Sequence, residues 1–384
     1  MEYTKLGQIA KIQTGPFGSQ LHQSDYKPSG IPCIMPCNIG SNLNIICDNI
    51  AYISEEDLNR LAKHKTQEGD IVYSRRGDIE KCAYISSRES GWLCGTGCLK
   101  VSIDSTIALP KYVAYLLSTP ESKAWLVGNA VGTTMLNLNT TVLSDFPICL
   151  PDLDTQQKVV EIIDSIADKI ELNKRINDNL EQQASSLLSD WISTYPCRTY
   201  KLSDICKYAN AKCETGNLTP QNYISTENML PNKKGIVEAS NIPTGKATCY
   251  KVDDILIANI RPYFQKIWKA DINGGCSADV LCIRANIESH SPILYWLLHQ
   301  DAFFEYVMTG AKGCKMPRGD KQHIMNWSID LPEVQYWADL ATQLGSIDQQ
   351  IAYNRIESIN LSNLRDSLLP KLMSGEIKIN EIDC

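Results

Sequence analysis

Few residues in this chain have the types and spacing that bond-making chemistry demands. Cys33 and Cys37 lie four positions apart, as do Cys94 and Cys98, a tolerable spacing for a metal. A structural zinc needs four ligands. The five histidines are scattered, with no second tight pair in register, so buried free thiols are the better reading of these cysteines. No Gly-x-Gly-x-x-Gly follows a strand pattern and no Gly-Lys-Ser/Thr phosphate loop occurs. Asn259-Ile260-Arg261-Pro262-Tyr263 lacks the first proline of an Asn-Pro-Pro-Tyr methyl-transfer motif, and no cofactor domain accompanies it. Pro151-Asp152 could open an acidic nuclease motif, but aspartate is expected at a helix entry anyway. Together these absences argue against an enzyme.

The residue types that recur suit binding instead. One apolar run leads into Ser74-Arg75-Arg76-Gly77 and then Lys81. A second leads into Asn259-Ile260-Arg261-Pro262-Tyr263 and then Lys266. Arginine and lysine after a strand can face phosphates or guanine edges. A further loop is Gly132-Thr133-Thr134-Met135-Leu136-Asn137. Its counterpart runs from Lys312 through Lys315 and Arg318 to Lys321, with Asp320 as its one acid. The candidate DNA-contacting residues are therefore Ser74, Arg75, Arg76, Lys81, Thr133, Thr134, Asn137, Asn259, Arg261, Tyr263, Lys266, Lys312, Lys315, Arg318 and Lys321.

These loops sit in an internal repeat. Phe146-Pro147-Ile148-Cys149-Leu150-Pro151 matches Trp327-Ser328-Ile329-Asp330-Leu331-Pro332, and the two prolines are 332 − 151 = 181 apart. Leu116-Leu117, Gly132, Met135, Ile170, Asn173 and Leu187-Leu188 all recur at that offset. Further upstream the register drifts, which means loops of different length. Ile71-Val72-Tyr73 and Ile255-Leu256-Ile257 read as short buried strands, and Tyr112–Leu117 and Ile293–Leu298 as short helices.

Each copy ends in a long helical pattern. From Asp154 to about Trp191, apolar residues fall three and four apart at Val159, Ile163, Ile166, Ile170, Ile176, Leu180, Ala184, Leu187 and Trp191. Asp152 or Asp154 would cap the start, and Pro196 would end the helix. The second pattern runs from about Glu333 to Leu369 through Leu340, Leu344, Ile347, Ile351, Leu361, Leu364 and Leu368, with Pro370 expected to break it. Helices of this size span about 57 Å. Two such stripes are most economically buried against each other as an antiparallel coiled coil, with Asn173 and Asn354 as a polar pair fixing register.

The totals agree with a soluble multidomain protein of 384 residues. Net charge is −7, so any nucleic-acid surface must be local. The 15 cysteines are scattered, no secretory signal opens the chain, and no apolar run approaches the roughly 18 residues of a membrane span. Reduced thiols and a cytoplasmic location are expected.

The whole chain resembles the specificity subunit of type I restriction–modification systems. The resemblance is carried by Leu6-Gly7-Gln8-Ile9, Thr14-Gly15-Pro16-Phe17-Gly18-Ser19, Gly30-Ile31-Pro32, Gly69-Asp70-Ile71-Val72 with Arg75-Arg76-Gly77, and Gly91-Trp92-Leu93-Cys94-Gly95-Thr96-Gly97-Cys98. It continues through Leu150-Pro151, Gln156-Gln157-Lys158-Val159 and Ile170-Glu171-Leu172-Asn173-Lys174-Arg175 to Leu369-Pro370-Lys371-Leu372-Met373-Ser374-Gly375. It implies an α+β fold with a pseudo-two-fold repeat. Target-recognition domains would occupy residues 1–151 and 195–332, with helical spacers at 152–194 and 333–384. It implies a non-catalytic subunit that reads an asymmetric bipartite duplex site, one half per domain. Two adenine methyltransferase subunits using S-adenosylmethionine would bind it, this chain holding no cofactor itself, and a restriction–translocase subunit would join for cleavage. The second domain lacks the Arg-Arg-Gly and Gly-Trp-Leu-Cys sequences, which agrees with a different half-site. Two rival readings are a self-contained modification enzyme and a coiled-coil scaffold with no DNA role.

Overall fold

The computed structural model describes residues 3–132 and 136–377. The chain divides into two compact units: Met1–Ile170 with Ile359–Cys384, and Glu171–Ser358.

In the first unit, Ile71–Ser74 lies inside a four-stranded antiparallel sheet, between Cys98–Ile103 and Cys82–Tyr84, with Ala10–Thr14 beyond. Alternate side chains of a strand face opposite ways. Ile71 and Tyr73 enter a core with Leu99, Val101, Val113 and Leu117, while Val72 enters a separate cluster with Ile34, Ile85 and Cys94. Both faces are covered, which is why the segment reads as an unbroken apolar run. A three-stranded sheet of Ala51–Ile53, Ile31–Ile34 and Leu93–Cys94 supplies the second cover. Helices Pro110–Ser118 and Pro120–Asn129 supply the first.

The second unit repeats the plan. Ile255–Ala258 lies between Val280–Ala285 and Ile267–Lys269, with Cys206–Tyr208 at the edge. Ile255 and Ile257 face one cluster; Leu256 and Ala258 face another. Here the covering sheet has four strands: Lys212–Glu214, Lys246–Tyr250, Gly274–Cys276 and Tyr223–Ile224.

One long helix runs Leu153–Thr194 and a second Trp337–Ser374. Asp152 accepts the Thr155 N–H at 2.9 Å, as a capping aspartate should. Pro370, expected to end the second helix, lies inside it. A proline this near the end removes one backbone bond, but Leu369 and Leu372 on either side of it are both buried in the first unit, and that packing holds the turn helical. Termination falls to Gly375 at φ 74°, the left-handed residue that closes helices.

Each unit buries its own portion of both helices. In the first, Val159 and Ile163 cluster with Leu369 and Leu372. In the second, Ala184, Leu188 and Trp191 cluster with Trp337, Leu340 and Leu344. Within this second unit Asn177 reaches the Ile351 carbonyl and Trp191 the Tyr336 carbonyl, so the segments run antiparallel. The seam differs in detail from the periodicity. Leu188 rather than Leu187 is fully buried, and Leu364 is 46% exposed while Leu369 takes the core position. A straight helix of 3.6 residues per turn drifts from any fixed spacing over this length.

Matching polar pins fix each helix to its domain. The Asp164 carboxylate accepts from Lys111 at 2.8 Å and from the Tyr115 hydroxyl at 2.5 Å. Asp348 accepts from Lys269 at 2.6 Å and from the Trp296 indole at 2.8 Å.

Candidate nucleic-acid interface

In the first unit, the chain leaving Ile71–Ser74 crosses a second loop entering from Val131. The Arg75 N–H donates to the Gly97 carbonyl at 2.8 Å, and Leu138 donates to the Arg75 carbonyl at 2.9 Å. Gly77 donates to Leu136 at 3.4 Å, and Val131 and Asn137 exchange both of their backbone bonds. The second unit repeats every one of these. Asn259 donates to Asp279 at 2.8 Å, Gly319 to Asn259 at 3.1 Å, and Arg261 to Pro317 at 2.7 Å. Lys312 and Arg318 exchange both of theirs at 2.9 Å. Ser74 bonds to the Lys81 carbonyl and Ala258 to the Lys266 carbonyl, each at 3.1 Å.

Shared bonding defines which residues correspond. Arg75 stands where the second unit has Asn259, Arg76 where it has Ile260, and Gly77 where it has Arg261. Asn137 corresponds to Arg318 and Lys81 to Lys266. The backbone is one framework carrying two sets of side chains. At the third position the framework demands a left-handed conformation: Gly77 has φ 77° and Arg261 φ 51°. Glycine adopts this freely, whereas a residue with a Cβ is strained.

The sequence candidates fall into three groups. Arg76, Lys315 and Tyr263 are exposed on the crossed loops, and Tyr263 packs at 4.7 Å on the exposed ring of Phe264. Arg75, Asn137, Asn259 and Arg261 are half-buried there. Each of these four has one buried polar atom without a partner among the described residues: Nε in the arginines and Oδ1 in the asparagines. The remainder have local partners. Ser74 is buried and its hydroxyl donates to the Arg76 carbonyl at 3.0 Å, so it holds the loop. Lys81 pairs with Asp78 at 2.8 Å. Lys266 donates to the Thr226 carbonyl at 2.7 Å, and burial lowers its pKa. Lys312 pairs with Asp320 at 2.5 Å; that bond, with the His323 and Gln322 N–H groups, holds the Asp320 carboxyl down to about 2. Lys321 lies 5.8 Å from the Tyr208 ring. Thr133 and Thr134 lie outside the described residues.

Two features were missed in the sequence. Asp279 pairs with Arg318 at 3.3 Å. It occupies the place of Gly97, and nothing local marks it. Phe17 is 52% exposed and carries the Arg75 guanidinium 5.6 Å from its ring centre, a cation–π distance. The register asparagines meet inside the second unit, though not as a side-chain pair. The Asn173 amide donates to the Asn354 backbone carbonyl at 3.4 Å and to Glu357 at 2.7 Å, while the Asn354 amide donates to Asn177 at 2.8 Å.

Cys33, Cys94 and Cys98 are buried and Cys37 is exposed; burial pushes the Cys33 thiol up to about 12. Among the described residues no group of three or more His, Cys, Asp or Glu side chains is placed to hold a metal. No described helix is long and apolar enough to cross a membrane.

Residues 1–182 match the family described as the type I restriction modification DNA specificity domain. The match covers a little under half of the chain, which is thus similar to the specificity subunits of type I restriction–modification systems. It is 28% identical over 163 residues to the HindI specificity subunit of Haemophilus influenzae, a stretch covering 42% of this chain and 36% of that one. It is 22% identical over 399 aligned positions to the MjaIX specificity subunit of Methanocaldococcus jannaschii, covering 93% of this chain and 89% of that one. Among solved specificity subunits, its fold is similar to the S subunit from M. genitalium. There the TM-score is 0.56 at 15% identity, covering 97% of this chain and 95% of that chain.

Proposed function

We propose that this chain is a non-catalytic DNA-recognition subunit that reads an asymmetric bipartite duplex site, one half per unit. One observation carries the reading. The same crossed-loop framework occurs in both units, bond for bond, with different polar side chains mounted on it. A framework held constant while its outward residues change suits two readers of unlike sequence. The acidic total does not oppose this, because the loop from Lys312 to Lys321 has four basic residues to one acid and supplies a local field. Phosphate contacts there would position the duplex and make affinity fall steeply with salt.

In this reading the subunit works in the cytoplasm and scaffolds two methyltransferase subunits, which bring the S-adenosylmethionine. A restriction–translocase subunit joins them for cleavage. Methylome sequencing of cells that express the chain with its methyltransferase tests the reading. The expected motif is bipartite, with unlike halves around an unspecified gap. A single continuous motif, a palindrome, or no methylation motif would contradict it.

A further inference from the structure

The crossing of the two loops places certain side chains in a row. Directly opposed residues of an antiparallel bridge project to the same face, with Cβ atoms about 5 Å apart. Arg76 opposes Asn137 in the first unit, and Ile260 opposes Arg318 in the second. Their chain neighbours project the other way. Leu138, next to Asn137, is fully buried in the core, so the face bearing Asn137 and Arg76 is the outward one. Gly319 takes the place of Leu138, and the room its missing Cβ leaves is occupied by Asn259, whose Oδ1 would stand 2.8 Å from that Cβ. Arg318 and Ile260 therefore face outward in turn.

We infer that these two opposed pairs are the main base-reading residues, Arg76–Asn137 for one half-site and Ile260–Arg318 for the other. The inference rests on the proposed DNA-reading function and deepens it. An arginine fork fits the O6 and N7 acceptors of guanine, and an asparagine amide fits the N6 and N7 of adenine. An apolar side chain such as isoleucine fits the thymine methyl. Side chains that start about 5 Å apart can converge on base pairs stacked about 3.4 Å apart. Each opposed pair thus meets two adjacent base pairs. The first unit selects a guanine next to an adenine; the second selects a thymine next to a guanine.

Local chemistry supports the assignment. The Arg76 guanidinium is exposed and meets no partner among the described residues, and the Asn137 Oδ1, buried beside it, is likewise without one. Arg318 is 58% exposed at its side chain, and the Asp279 carboxylate at 3.3 Å aims its guanidinium. Lysines with a local acid, such as Lys81 and Lys312, suit phosphate positioning better than base reading.

The test is selection from a pool of randomised duplexes by the complex of this chain with its methyltransferase subunits, followed by sequencing of the bound fraction. Arg76→Ala and Asn137→Ala are expected to relax adjacent guanine and adenine preferences in one half-site, by about ten- to a hundredfold each. Ile260→Ala and Arg318→Ala relax adjacent thymine and guanine preferences in the other half. Arg76→Lys and Arg318→Lys keep the charge and the loop but remove the fork, so they relax the same guanines while the melting temperature stays that of the parent. An unchanged consensus with uniformly weaker binding would mean that these residues contact phosphate, and would overturn the inference. So would relaxed positions that are not adjacent, or that fall in both halves. Failure of the parent complex to select any sequence would instead remove the proposed function itself.

Discussion

The first unit satisfies its crossed loops with residues suited to the backbone, while the second tolerates a conflict. Where the turn requires a left-handed residue, the first has Gly77 and the second Arg261. Where the first packs Leu138 into its core, the second has Gly319, with Asn259 beside it. Where the first has Gly97, the second has Asp279 paired to Arg318. Arg261 and Asp279 add charge at the crossing, whereas Asn259 in the place of Arg75 and Ile260 in the place of Arg76 remove it. The backbone bonds are nonetheless unchanged, so the framework is set by the sheets beneath and the side chains on it are free to diverge.

The helix pins give the largest expected contrast between the units. Lys269 is only 12% exposed at its side chain, against 38% for Lys111. Asp348→Ala would leave the buried Lys269 ammonium only Asp253, 3.0 Å away, and strand an indole N–H, and should cost about 3 kcal/mol. Asp164→Ala leaves a lysine that water can reach and a Tyr115 hydroxyl without its acceptor, and should cost about 1–2 kcal/mol. Urea denaturation of the two variants measures the difference, and equal losses would mean that the pins are not graded by burial. Next in size is Leu138→Ala, expected to cost about 2–5 kcal/mol by leaving a cavity in the first core. Hydrogen exchange should place the loosening in that unit alone; loosening in both would break the picture of two separate cores.

Much of this architecture was legible in the sequence because its signals are local. The strands at Ile71 and Ile255 are short apolar runs, and the long helices carry a sustained three-and-four spacing. The constant offset of 181 survives into the fold, where Asn137 and Arg318 correspond and Tyr115 and Trp296 both pin a long helix. The crossing itself was not legible. Its bonds join Arg75 to Gly97 and Leu138, residues far apart in sequence, and no periodicity records such pairings. The offset also changes inside the site, to 259 − 75 = 184 on one loop, so matching Arg76 with Ile260 needed the hydrogen bonds. Pro370 misled for a physical reason: a helix breaker yields when its neighbours are buried on both sides.

Smaller effects sharpen the comparison at the loops. Arg261→Gly gives the second unit the residue of the first and relieves the left-handed strain, so stability should rise by about 1 kcal/mol. Selectivity in one half-site should fall, because the guanidinium is lost. A thermal melt and a binding selection read the two effects separately, and a melting temperature that falls would mean that the arginine stabilises the turn. Smallest is Asp279→Gly. An exposed ion pair is worth about 0–1 kcal/mol, so the melt should barely move. The preference that depends on Arg318 should weaken nonetheless, since its guanidinium is no longer aimed; an unchanged preference would remove Asp279 from the site.

The central claim, that each unit reads its own half, is tested most directly by hydrogen exchange of the complex with its methyltransferase on altered duplexes. With the full site bound, residues 75–77 and 136–138 and residues 259–261 and 318–319 should all be protected. Scrambling one half of the site should release one of these two sets and leave the other protected. Release of both sets together, or of neither, would contradict the account.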